Sequence, residues 1–142
     1  LQGTDSCTVA SNTITMNVKA SASGKGNSDC MRLVKSSNIQ ITGNTMTQKK
    51  KNKKTKDACG IVVTTKSSAT INKNKINASP KDGVFVVTGS KATMDRNTIK
   101  KTGRYGVNVC DKSNVVLKKS NKLSKCGKRK TNTYSGGKIK KK

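Results

Sequence analysis

The chain contains no histidine, no glutamate and no tryptophan, and its one proline is Pro80. Lack of histidine removes the commonest general base and a preferred zinc ligand. Five cysteines with no CxxC spacing fit neither a zinc site nor a fully paired disulfide framework. Aromatic residues make up only 2% of the chain and hydrophobic residues 30%, which argues against a large globular core. No stretch approaches the roughly 20 apolar residues of a membrane-spanning helix. The 142 residues suffice for one domain and not comfortably for two.

Acidic groups are scarce as well. Six Asp stand against 31 Lys and Arg, a net charge of +25. Such a surface repels itself unless counterions or an anionic partner neutralise it.

The dominant positive feature is a repeat. With Gly60 as the start of a unit, apolar Ile61, Val63, Ala69, Ile71 and Ile76 follow, with Ser67 and Asn74 between them. Gly83 opens the same series at identical offsets: Val84, Val86, Ser90, Ala92, Met94, Asn97 and Ile99. Gly106 opens a third, which gains one residue before Asn121 and Leu123. Upstream, Cys30 takes the glycine position ahead of Met31, Leu33, Ser37, Ile39, Ile41, Asn44 and Met46. The first unit joins at its middle, with Asp5, Cys7, Val9, Asn12 and Ile14.

Apolar residues alternate within each unit, which is the period of a half-buried strand and not of a helix. Strands this short cannot bury themselves alone. Stacked on their counterparts at about 4.8 Å, they bury a continuous apolar column. The spacing therefore predicts an all-β solenoid of about five coils, with three short strands per coil. Asn12, Asn44, Asn74, Asn97 and Asn121 are expected to form a structural ladder at one corner, since Asn tolerates left-handed backbone and bonds neighbouring main chain.

The pattern Gly-φ-x-φ, then Ser-x-φ-x-φ-x-x-Asn-x-φ, with φ apolar, resembles the right-handed parallel β-helix proteins of the pectate lyase-like superfamily. The resemblance covers residues 5–123. It implies the fold strongly and the chemistry weakly, because that superfamily hosts lyases, hydrolases and epimerases. Hydrolases of the fold use clustered carboxylates, and its alginate epimerases lean on a histidine. Here Asp5, Asp29, Asp57, Asp82, Asp95 and Asp111 are scattered along the sequence, so catalysis by this chain is not expected. No cofactor or metal is expected either.

Domain organisation follows from the register. Residues 1–126 are expected to form the β-helix, with loop insertions at 15–29 and 47–58, and 127–142 a basic tail. The first coil starts in mid-register, so upstream coils are expected, and the basic end reads as a terminus. Lys49, Lys50, Lys51, Lys53, Lys54 and Lys56 crowd the second insertion. Lys81, Lys100, Lys101 and Arg104 occupy shorter versions of the same corner, and Lys128, Arg129 and Lys130 follow it. In-register coils turn these into a positive edge suited to a linear polyanion.

The expected partner is an acidic polysaccharide or a teichoic-acid-like wall polymer, met outside a bacterial cell or on its surface. Nucleic acid fits less well, because single-strand binders offer stacking aromatics and this chain has only Phe85, Tyr105 and Tyr134. Two other readings compete: the end portion of a polysaccharide lyase or epimerase, and a self-assembling filament subunit. Self-association would use Val62, Phe85 and Val87, read as an outward apolar patch. Cys30 and Cys59, at successive coil starts, are expected either as a disulfide or as small buried thiols.

Overall fold

A computed structural model describes residues 1–18, 28–50 and 58–142. The first coil supplies β1 (Thr8–Ala10) and β2 (Thr13–Val18). The second supplies β3 (Met31–Val34), β4 (Ile39–Thr42) and β5 (Thr45–Lys50), and the third β6 (Ile61–Thr64), β7 (Ser68–Asn72) and β8 (Lys75–Asn77). The fourth contains β9 (Val84–Val86), β10 (Lys91–Asp95) and β11 (Thr98–Thr102). The fifth contains β12 (Tyr105–Val109), β13 (Asn114–Leu117) and β14 (Lys122–Cys126). A partial sixth coil adds β15 (Arg129–Thr133) and β16 (Lys138–Lys141).

Three wholly parallel sheets result. Their strand orders are β3-β6-β9-β12-β15, β1-β4-β7-β10-β13-β16 and β2-β5-β8-β11-β14. Each strand pairs with its equivalent in the next coil, as Ile61 with Val84 and Ile71 with Met94. This is a parallel β-helix, with the architecture the repeat predicts.

Side chains from the three sheets meet in one apolar column. Leu33, Ile61, Val84 and Val107 from the first sheet are fully buried, as are Ile41, Ile71 and Met94 from the second and Met46 and Ile99 from the third. Burying each of these contributes about 1.5–3 kcal/mol. The coil-start glycine is dictated by the same packing. A Cβ on Gly60 would lie 2.5 Å from Ile76 Cγ2 and 2.6 Å from the carbonyl oxygen of Gly83.

The asparagine ladder forms through hydrogen bonds. Asn44 donates its backbone N–H (2.9 Å) and its side-chain amide (3.0 Å) to Oδ1 of Asn74, and the pattern repeats along the ladder. Left-handed backbone falls one residue earlier than expected, at Ser11, Gly43, Lys73 and Arg96, with φ between 52° and 66°. The asparagine itself is needed for its amide, not for its backbone.

A serine ladder runs along the corner between the first and second sheets. Ser67 donates its N–H to Ser90 Oγ (3.1 Å), and Ser90 to Ser113 Oγ (3.0 Å). In the second coil the ladder member is Ser36, not Ser37: buried Ser36 donates to Ser67 Oγ at 3.0 Å. Ser37 turns outward and donates its hydroxyl to Asp5.

Two boundaries also differ from the expectation. β2 and β5 run into both insertions, pairing from Thr13 with Thr45 to Val18 with Lys50. Residues 127–142 are not a tail beyond the stack, since β15 and β16 pair with β12 and β13. Of their inward positions Ile139 alone is apolar, beside Thr131, Thr133 and Lys141, so the sequence lacks the apolar alternation that marks the other coils.

Candidate functional site

The corner between the third and first sheets brings Lys81, Arg104 and Lys128 into one column. Arg104 donates its N–H to the Lys81 carbonyl and Lys128 to that of Arg104, both at 2.8 Å. Coil stacking sets the backbone of these residues about 4.8 Å apart along the axis. Lys81 and Arg104 are half-buried, and Lys128 is exposed.

Arg104 is the best-anchored cation of the column. Its Nη2 donates to Asp82 Oδ2 at 2.8 Å and its Nε to Oδ1 at 3.3 Å. The guanidinium also lies 5.3 Å from the Tyr105 ring centre, within cation–π range. The hydrogen bonds that Arg104 donates to the Asp82 carboxylate push the already high pKa of the guanidinium further up. Its side chain stays 35% exposed while that of Asp82 is wholly buried, so the charge faces solvent from a fixed base.

Asp82 is satisfied on all sides. It accepts the backbone N–H of Tyr105 (3.2 Å) and the amide of Asn108 (3.0 Å), and Asn132 donates to Asn108 in turn. Two coils earlier Asp29 does the same work, accepting the N–H of Cys59 at 2.8 Å and Nε of Arg32 at 2.9 Å. Asp29 and Asp82 each precede a coil start, Cys30 and Gly83, and that shared position was the available signal. Asn108 and Asn132 carried no signal, because outward asparagines are common in this chain.

Lys100 and Lys101 precede the column on β11, and both are exposed. Lys101 and Lys125 both take left-handed backbone, φ 57° and 51°. Arg129 pairs with Tyr105 at the start of β15, and Lys130 follows it. Lys49 lies on β5 and not in a loop, exposed and opposite Asn17, and Lys50 ends that strand. Lys51, Lys53, Lys54 and Lys56 lie outside the described residues.

Cations are not confined to this corner. Lys35, Lys66 and Lys112 are exposed near the serine ladder, and Lys73, Arg96 and Lys119 near the asparagine ladder. Arg96 and Lys118 share Asp95 at 3.4 Å, but that carboxylate is 18% exposed, whereas the one that holds Arg104 is fully buried. The third corner also stacks Lys81, whose Nζ lies 5.8 Å from the centre of the Phe85 ring.

The outward apolar patch changes character in the structure. Val62 is only 1% exposed, so it offers no surface to a partner. Phe85 and Val87 are half-buried. All five cysteines are free thiols. Burial pushes the Cys30 thiol up to about 11 and that of Cys59 to about 12. Among the described residues, no group of three or more Cys, Asp, Glu or His side chains is placed to hold a metal ion.

The geometry defines a parallel β-helix with an anchored cationic corner. A family model described as "Right handed beta helix region" matches residues 1–140, and the chain belongs to that family. No curated protein and no solved structure matches it.

Proposed function

We propose that this β-helix is a binding module that holds a polyanion against its third corner, on a secreted or surface-attached bacterial protein. The observation that carries the reading is the column Lys81, Arg104 and Lys128, one cation per coil, with Arg104 fixed by a buried carboxylate. A flexible lysine run would neutralise charge without setting a spacing. A column on stacked corner turns presents charge at a regular interval, which suits a polymer with regularly spaced anionic groups. Acidic polysaccharide and teichoic-acid-like polymer both meet that description.

Binding rests on counterion release, so affinity falls steeply with added salt. The test is titration with polygalacturonate and with a teichoic acid at two salt concentrations. Replacing Lys81, Arg104 and Lys128 together by Gln is expected to lower affinity at least tenfold and flatten the salt dependence. Replacing Lys35, Lys66 and Lys112 is expected to do much less. Equal losses from the two triple variants would reduce the site to net charge and sink the proposal.

A further inference from the structure

The inward positions of the sixth coil break the pattern of every coil before it. Thr131 stands under Val107 and Thr133 under Val109, where both valines are fully buried. Lys141 stands under Leu117, the last apolar residue of a line that includes Ile71 and Met94. Only Ile139, beneath Val115, keeps its apolar character. A shallow depression at this end is lined by Arg129, Thr131, Asn132, Thr133, Ile139 and Lys141, so the surface that a further coil would cover is polar and cationic.

Charge reinforces the change. Residues 127–142 hold seven cations, Lys128, Arg129, Lys130, Lys138, Lys140, Lys141 and Lys142, and no acid. In residues 1–18 the only charged side chain is Asp5. There the inward Cys7, Val9 and Ile14 are partly buried and apolar. The first and sixth coils therefore differ in kind.

Outer strands of a parallel sheet present unpaired N–H and C=O groups, a template for another chain. Among the described residues, β14, β15 and β16 hold that position in the three sheets. Head-to-tail stacking of two copies is a contact that never closes, and it leads to fibres.

We infer that the sixth coil is a cationic end cap, a surface that refuses a second copy of this chain. Its inward polar residues deny an incoming coil an apolar column to continue. Its lysines repel any cationic copy and bias the open strand edges toward water. The filament reading of the repeat thereby loses one of the two ends it requires.

The test is sedimentation velocity at moderate salt, with electron microscopy of the same samples. Lys141→Leu touches only an exposed side chain and extends the Leu117 line. The triple variant Thr131→Val, Thr133→Val, Lys141→Leu extends all three lines. Wild-type protein is expected to sediment as a monomer across the concentration range. The variants, with unchanged strand signal in circular dichroism, are expected to at least double in average mass as concentration rises, the triple variant most. Lys112→Leu removes an equal charge from a corner and is expected to leave the mass unchanged.

Three results would overturn the inference. One is end-to-end rods formed by the wild type. Another is association of Lys112→Leu to the same degree as Lys141→Leu. The third is a folded Lys141→Leu variant that stays monomeric at every concentration; that single variant decides the matter if the triple one does not fold.

Discussion

Oδ1 of Asn97 accepts both the backbone N–H of Asn74 (3.0 Å) and its side-chain amide (3.1 Å), from one coil earlier. The Asn74 amide also donates to the carbonyl oxygens of Ile41 (2.8 Å) and Asn72 (3.0 Å). One side chain thus ties three coils together. Asn74→Ala leaves buried acceptors without donors, each at a cost of about 1–3 kcal/mol. A loss of about 2–4 kcal/mol in denaturant unfolding is expected, by the same accounting. Asn12→Ala, at the exposed start of the ladder, is expected to cost less than half as much. Equal losses would show that the ladder does not act through burial.

Gly83 offers a second check on the stack. A Cβ there would meet Ile99 Cγ2 and lie 2.7 Å from the carbonyl oxygen of Gly106. The obstruction is main chain in the next coil, which cannot rotate away. Gly83→Ala is expected to destabilise the fold by about 1–3 kcal/mol, the cost of overpacking. Gly3→Ala has nothing within 4 Å of the added Cβ and pays only for its left-handed backbone. Thermal unfolding of the pair separates the two effects.

The coil architecture was legible because the apolar offsets recur at a constant 23-residue interval from Gly60 through Gly106. Asn74 and Asn97 announced their ladder in the same way. Other features depend on contacts that no single-coil pattern encodes. Arg104 meets Asp82 across 22 residues, one coil away, whereas Asp29 meets Arg32 within its own coil, so the pair itself does not recur. Ser36 displaces Ser37 from the serine ladder because the second coil turns its corner one residue early, while Ile39 and Ala69 stay in register. The strands of the sixth coil were not legible, because Thr131, Thr133 and Lys141 replace the apolar residues that mark the other strands.

The corner site was legible in part. Lys81 and Arg104 were placed by register and lie where register put them. Their difference from the many exposed cations was not legible, because it comes from Asp82 burial and ring stacking. Of the lysines that crowd the second insertion, only Lys49 and Lys50 fall on a described strand.

Cysteine reactivity supplies a pH-dependent prediction. Desolvation raises the Cys59 thiol to about 12 from the 9.0 of an unburied thiol, and that of Cys30 to about 11. The folded form thus holds its thiol protons at pH values where the unfolded chain loses them. This contribution to stability is full below pH 9 and is lost as pH rises toward 12. At pH 8.5 Cys59 is expected to resist iodoacetamide in native protein and to react readily in denaturant. Rapid native labelling of Cys59, located by peptide mass, would contradict its burial. Cys59→Ala should unfold with a shallower pH dependence between pH 9 and 12.

Arg104 provides the sharpest separation of charge from geometry. Arg104→Lys keeps the positive charge but cannot reproduce the two-point contact with Asp82, because an ammonium lacks the planar fork. If the proposed module reads only charge, this variant binds polygalacturonate as the wild type does. If a fixed cation spacing matters, affinity falls about three- to tenfold, an energy of about 0.7–1.4 kcal/mol. The salt dependence should stay nearly unchanged, since the number of cations is the same. Asp82→Asn, which frees Arg104 without removing it, should produce a similar loss of affinity. It should also lower stability by about 1–3 kcal/mol, less than for a fully buried pair because Arg104 can turn to water. Lys128→Arg adds a fork where no carboxylate holds one, and is expected to bind within twofold of the wild type. An unchanged affinity for Arg104→Lys, together with a large loss for Lys128→Arg, would reverse the assignment of the anchored position.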